Sequence, residues 1–213
     1  MKSFCILGMN RFGQAIAMTL AEEKKQVMIM DENKEVVAQF ADYVTAAVVG
    51  DPKNEQALRA AGINDYDCCV VCNSGKIEDS ILITLLLKDI GAKYVLARAQ
   101  SELHMRILKK VGADRVVYPE RDMGERLAHL LSKNNVTNYL DVSKDVSLVE
   151  IKAPEKWVGK SLAELEIRNK YNVNIIAVTL NNEHDFSPDP TAPIEKDAIL
   201  TIVGSKKNVD KLV

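Results

Sequence analysis

Six short apolar runs, at residues 4–7, 27–30, 46–49, 68–71, 95–97 and 116–118, recur through the first half of the chain with helical segments between most of them. A run too short for a helix reads as a buried strand, and a helix between two strands returns the chain so that the second lies parallel to the first. The pattern therefore predicts an α/β fold, a Rossmann-like parallel sheet with helices on both faces. In such a sheet a ligand crevice opens at the carboxyl ends of the strands, near the point where strand order reverses. Turn residues punctuate the elements at Gly50-Asp51-Pro52, Asn73-Ser74-Gly75 and Gly112-Ala113-Asp114. The helical segment 77–89 carries Ile81, Leu82, Leu85 and Leu86 on one stripe, which is expected to face the core.

The second half changes character. A longer helix is expected from Pro119 to about residue 133, with Pro119 in its first turn and Glu120 near the positive end of its dipole. Beyond the Asn134-Asn135 stop, residues 146–151, 174–180 and 198–204 read as strands around one short helix at 161–170, a smaller α+β domain. The expected division is thus residues 1–134 and 135–213, with a linker near 135–144 and a long exposed loop carrying Pro188, Pro190 and Pro193.

Directly after the first strand stands Gly8-Met9-Asn10-Arg11-Phe12-Gly13, opening a helical segment. In a dinucleotide-binding turn the first glycine makes the bend, the second lets the backbone approach the pyrophosphate, and the third lets helix and strand pack closely. Here the second glycine is Asn10, which tolerates positive φ better than most residues but carries a Cβ, so a phosphate would sit differently from a standard pyrophosphate. Arg11 adds a fork of donors suited to phosphate oxygens. The second strand ends in Asp31, near the distance of roughly 20 residues at which a ribose-binding acid is expected. Glu32 beside it would repel a 2′-phosphate, which disfavours NADP against NAD or an adenosine nucleotide with free ribose hydroxyls. The alternative is that Asp31 only caps the next helix and the two glycines serve only the turn.

Other classes of function find little support. With 28 basic and 30 acidic side chains the formal charge is −2, which gives no electrostatic footprint for nucleic acid or an anionic membrane surface. The longest uncharged stretch, 171–182, is too short to span a bilayer, and the N terminus lacks the pattern of a signal peptide, so a cytoplasmic location is expected. Cys69 and Cys72 lie three apart in a strand-like run and so face opposite sides. Cys68 and Cys72 share a face but are separated by roughly 13 Å, too far for a disulfide, so these are expected to be structural thiols. His104, His129 and His184 are expected to be structural at the surface or half buried. Serine-nucleophile, paired-carboxylate and helical zinc signatures do not occur, and nucleotide binding without catalytic machinery points to a regulatory module rather than an enzyme. An NAD(H)-dependent oxidoreductase or NAD(H)-redox sensor is the alternative.

Five motifs together extend the reading: Gly8 to Gly13; Gly50-Asp51; Ala97-Arg98-Ala99-Gln100; Gly112-Ala113-Asp114-Arg115-Val116-Val117-Tyr118-Pro119-Glu120-Arg121-Asp122-Met123-Gly124; and Gly159-Lys160-Ser161-Leu162-Ala163-Glu164-Leu165. Over nearly the whole chain they resemble the regulator-of-potassium-conductance family, RCK, and within it the cytosolic Ktr and Trk gating subunits. The resemblance implies a homo-oligomer, dimers building an octameric ring, docked under a separate membrane potassium channel or transporter. It also implies an ATP/ADP switch in the first domain, with NAD(H) the less favoured ligand. Its cofactor-binding residues would be Gly8, Asn10, Arg11, Phe12 and Gly13 in the turn, Asp31 on the ribose and Asp51 near the adenine. Arg98, standing where close kin usually carry lysine, would meet phosphate, and Arg11 would reach the terminal phosphate, including that of a neighbouring subunit. Glu120 would meet a divalent cation or the γ-phosphate region. For the second domain the resemblance implies a cyclic di-AMP site at a dimer interface, using Ile167, Arg168, Asn174, Ile175 and Pro190.

Overall fold

The structure is a computed structural model that describes residues 2–72 and 75–212, so the Asn73-Ser74 part of the expected turn lies outside the described residues. The chain forms two compact units, Met1–Glu120 and Arg121–Val213.

In the first unit, strands β1 (Ser3–Leu7), β2 (Gln26–Asp31), β3 (Ala46–Val49), β4 (Cys68–Val71), β5 (Val95–Arg98) and β6 (Arg115–Val117) are joined through helices α1 (Arg11–Glu22), α2 (Lys34–Phe40), α3 (Glu55–Ala60), α4 (Ile77–Ile90) and α5 (Glu102–Lys110). Every pair in the sheet is parallel, in the order β3-β2-β1-β4-β5-β6, the order of a dinucleotide-binding fold. Alternate residues of the central strands feed two cores. Cys5, Leu7, Met28, Met30, Cys69 and Val71 pack with Ile83, Leu87 and Leu108 on one face, while Ile6, Val27, Ile29, Val70 and Cys72 pack with Met9 and Ala17 on the other. Burial on both faces is why these strands read as unbroken apolar runs. Side-chain oxygens of Asn10, Asn33, Asn54 and Ser101 cap α1, α2, α3 and α5.

The expected core stripe of α4 is corrected. Leu82 and Leu85 are exposed and Ile81 and Leu86 half buried, whereas Ser80, Ile83, Thr84 and Leu87 are buried. The polar pair turns inward because it finds partners there: Ser80 Oγ bonds His104 Nε2 at 3.0 Å and the Ile77 carbonyl at 2.9 Å, and Thr84 Oγ1 donates to the Ser80 carbonyl.

Helix α6 (Pro119–Ser132) begins as the first unit ends. The second unit contains β7 (Val136–Asp141), β8 (Val146–Lys152), α7 (Leu162–Leu165), α8 (Ile167–Tyr171), β9 (Val173–Leu180), β10 (Glu183–Asp185), β11 (Ile199–Ser205) and α9 (Lys206–Val209). Its sheet is antiparallel, in the order β10-β9-β11-β8-β7. Val149, Ile151, Leu200 and Ile202 alternate inward over Tyr139, Trp157, Ile167 and Val173. Strand β7 occupies most of the stretch expected to be a linker, because its polar residues face outward while Val136 and Tyr139 bury. The single helix expected at 161–170 is broken at Glu166, whose φ is 48°. Strand β10 is not among the expected strands. Asn181 and Asn182 take positive φ, 50° and 65°, which closes a tight β9–β10 hairpin.

Candidate functional site

Strand order reverses between β1 and β4, so the turn after β1 lies at the mouth of the crevice. Gly8 has φ 93°, a conformation that favours glycine, and its N–H donates to the Met30 carbonyl at 2.9 Å. Gly13 is fixed by close approach: a Cβ there would collide with the Gly8 carbonyl oxygen and lie 3.2 Å from Cys72 Cβ. Asn10 departs from the expectation of a positive-φ stand-in for glycine. Its backbone is extended, φ −69° and ψ 176°, and it is the N-cap of α1. Its Oδ1 accepts from Gly13 N–H at 2.9 Å while its Nδ2 donates to the Cys72 carbonyl. Phe12 is half buried against the second core cluster. Arg11 is exposed at the first position of α1 and has no partner among the described residues, nor do the N–H groups of Arg11 and Phe12. A helix N-terminus with free donors and a free guanidinium is suited to phosphate.

The acid at the end of β2 is not a helix cap, since Asn33 caps α2. Instead Asp31 Oδ2 accepts from Met9 N–H at 2.6 Å and Oδ1 from Asn33 N–H at 2.8 Å, which ties the β1–α1 turn to β2. Each carboxylate oxygen keeps a second lone pair for a ribose hydroxyl. Gly8, Asp31, Glu32, Asn33, Pro52, Lys53 and Asp79 line a cavity of about 330 Å³. Lys53 Nζ stands 3.1 Å from Glu32, 3.7 Å from Asp79 and 3.8 Å from Asp51. Asp51 is turned into its own loop, accepting from Lys53 N–H at 2.8 Å, and is not among the residues lining the cavity. Lys53 and Asp79 were missed by sequence reasoning. Their only sequence signal was position, just after a strand end and in the first turn of a helix at the crevice.

Arg98, Gln100, Tyr118 and Glu120 line a second cavity of about 220 Å³ at the ends of β5 and β6. Arg98 is only 13% exposed and Nη2 is paired with Glu120, while its Nε and Nη1 are buried without an acceptor among the described residues. The hydrogen bond from Arg98 holds the Glu120 carboxyl below the usual range, against the opposing effect of burial. Unpaired buried donors of a fixed cation fit an anion such as a phosphate. A divalent cation fits less well. Glu120 is engaged by Arg98, and among the described residues no group of three His, Cys, Asp or Glu side chains is placed to hold a metal ion, so no step is assigned to a cation.

His104 is buried, deeper than expected, and both nitrogens are engaged: Gln100 N–H donates to Nδ1 at 3.2 Å and Nε2 faces Ser80 Oγ. Burial, and then the charge of Arg98, hold its pKa below the ordinary value. The four cysteines are free thiols, and burial pushes Cys68 up to about 11 and Cys72 up to about 12, as inert structural thiols require.

In the second unit, Ile167, Arg168, Asn174 and Ile175 line one cavity of about 220 Å³ with Leu162 and Val173, and Arg168 Nε donates to Asn174 Oδ1 at 2.8 Å. Ile167 is itself a core residue. Pro190 is not among the lining residues, and its carbonyl accepts from Ala163 N–H at 2.9 Å. Among the described residues no helix is long and apolar enough to cross a membrane.

The TrkA-N domain family matches residues 4–119 and the TrkA-C domain family residues 146–213. The chain is 39% identical over 210 residues to the Ktr system potassium uptake protein C of Bacillus subtilis (strain 168), covering 99% of this chain and 95% of that protein. It is 36% identical over 210 residues, with the same coverage, to the Ktr system potassium uptake protein A of that organism. Among solved structures, the GsuK channel bound to NAD has the same fold, with a TM-score of 0.67 at 17% identity, covering 97% of this chain and 38% of that one.

Proposed function

This chain belongs to the family of proteins that join a TrkA-N to a TrkA-C domain, and from that premise we propose that it is the cytoplasmic regulatory subunit of a Ktr-type potassium uptake system. In this reading the first unit binds ATP or ADP, and the difference between them gates a membrane potassium channel or transporter. Relatives named as Ktr potassium uptake proteins align over 99% of the chain, which supports the system assigned. The single observation that carries nucleotide binding is Arg98, a nearly buried guanidinium with two unpaired donors beside the crevice.

The site is polar in a useful direction. Asp31, Glu32 and Asp79 gather around the cation of Lys53 at one end, a net negative set suited to ribose hydroxyls and less suited to an added phosphate. Free N–H groups of α1, Arg11 and Arg98 supply the donors for the phosphate chain. A γ-phosphate brings charge that ADP lacks, and an exposed Arg11 can answer it in its own subunit or in a neighbour of a homo-oligomeric ring. ATP and ADP then favour different subunit spacings, and those spacings act on the membrane partner. No side chain is assigned a catalytic role; the output is mechanical. In the second unit, the cavity formed by Ile167, Arg168, Asn174 and Ile175 offers a cation and apolar walls, half of what cyclic di-AMP needs if two copies face each other.

Calorimetric titration with ATP, ADP, NAD and NADH, with and without magnesium, tests the reading on the unmodified chain and on Arg11→Ala. A charge-assisted hydrogen bond contributes about 1.5–3 kcal/mol, so Arg11→Ala is expected to weaken ATP by roughly 10- to 100-fold and bring it level with ADP. Preferential NADH binding indifferent to Arg11 would sink the ATP switch in favour of an NAD(H) sensor.

A further inference from the structure

We propose that Asn10 is a specificity-determining residue of the crevice: its carboxamide bars the turn to the pyrophosphate of a dinucleotide while leaving it open to a mononucleotide whose phosphate chain ends there. This rests on the nucleotide-binding reading above. In a dinucleotide fold the third residue of the turn is its second glycine because the pyrophosphate passes against bare backbone on its way from the β1 side to the β4 side. Here that position carries a side chain bonded at both ends, Oδ1 to Gly13 N–H at 2.9 Å and Nδ2 to the Cys72 carbonyl. Cys72 directly follows β4, so the carboxamide bridges the two strands between which the sheet order reverses.

The bridge is not easily swung aside. Cys72 is 0% exposed and Gly13 is buried, so displacing Asn10 strips a carbonyl and an N–H of partners in a place where replacements are scarce. Oδ1 also occupies the third donor of the helix and turns a partial negative charge toward any phosphate near it. What stays available are the N–H groups of Arg11 and Phe12 and the Arg11 guanidinium, all in the first turn of α1. A terminal phosphate can be taken there without crossing the bridge. The second nucleoside of a dinucleotide must cross it toward the end of β4.

The test is calorimetric titration of ATP, ADP and NADH into the unmodified chain, Asn10→Gly and Asn10→Ser, with melting curves to establish that each variant is folded. Glycine removes the bridge, while serine can keep the cap on Gly13 N–H but is too short to reach Cys72. The unmodified chain is expected to bind ATP and ADP at least tenfold tighter than NADH. Asn10→Gly should narrow that gap about tenfold by tightening NADH, with Asn10→Ser between the two, so the serine variant carries the test if the glycine variant is unfolded. An unchanged NADH-to-ATP ratio in the folded variants overturns the role of Asn10 and leaves nucleotide binding standing, as does a preference of the unmodified chain for NADH. Failure of the unmodified chain to bind any of the three overturns the nucleotide reading and this inference with it.

Discussion

Arg98→Met is expected to stabilise the ligand-free protein while removing its response to ATP. Arg98 leaves Nε and Nη1 buried without an acceptor among the described residues, and each unpaired buried donor costs about 1–3 kcal/mol, or about 2–6 kcal/mol for the two. Against this stands one bond to Glu120, whose side chain is 56% exposed, and an ion pair so placed contributes only about 0–1 kcal/mol. Methionine replaces the aliphatic stem and adapts to the space left by the guanidinium. After some loss of packing, a net gain of about 2 kcal/mol corresponds to a rise in Tm of roughly 6–8 °C for a unit of this size. Thermal unfolding followed by far-UV circular dichroism measures it, with and without ATP. At about 100 times its Kd, ATP should stabilise the unmodified chain by about 2.7 kcal/mol, and the variant by little, so the order of melting reverses on adding ligand. If Arg98→Met instead lowers the Tm of the ligand-free chain by several degrees, or if ATP raises both melting points equally, the guanidinium is a structural ion pair and the reasoning fails.

Two further outcomes follow from the same unit. Gly13→Ala forces a methyl against the Gly8 carbonyl oxygen, a backbone atom that cannot rotate away, so a loss of about 3 kcal/mol is expected in urea unfolding, together with loss of nucleotide binding; an alanine variant within about 1 kcal/mol of the original would mean the turn has room to open. His104 is held neutral, its pKa lowered by burial and by Arg98. Its contribution is therefore complete above the ordinary histidine value of about 6.5 and is lost as pH falls below that value toward the lower one of the folded state, because the unfolded chain takes up the proton first. Melting points at pH 8 and pH 5.5 should diverge more for the original than for His104→Gln, and equal slopes would show that the ring is accessible to protons in the fold.

The parallel sheet was legible because its signal is local. Strands buried on both faces need apolar residues throughout, and β1, β2 and β4 display them without reference to any other part of the chain. The first glycine of the turn was equally plain, since its φ of 93° is a property of one residue. Strands β7 and β10 were not legible. Each buries little of itself, Val136 and Tyr139 in β7 and no side chain in β10, and is defined by pairing across a hairpin turn, so period and composition carry little of it. In α4 the hydrophobic pattern misled in part: Ile81 and Leu86 do pack on the core, but Leu82 and Leu85 give way to Ser80 and Thr84, whose burial depends on bonds to His104 and to the helix backbone, which no spacing reveals.

The sequence by itself determined the alternation of strands and helices, the glycine turn and the acid at the end of β2, all features carried by adjacent residues. Only the tertiary structure decided how the polar side chains of the crevice are spent. It makes Asn10 a bridge to Cys72 rather than a substitute glycine, commits Asp51 to its own loop, sets Lys53 among three carboxylates and leaves Arg98 with donors to spare. Apart from the local contacts of Asp51 with Lys53, these hydrogen bonds and ion pairs join groups tens of residues apart, and whether a buried donor finds its acceptor is fixed by the packing of the whole unit rather than by the order of residues along the chain.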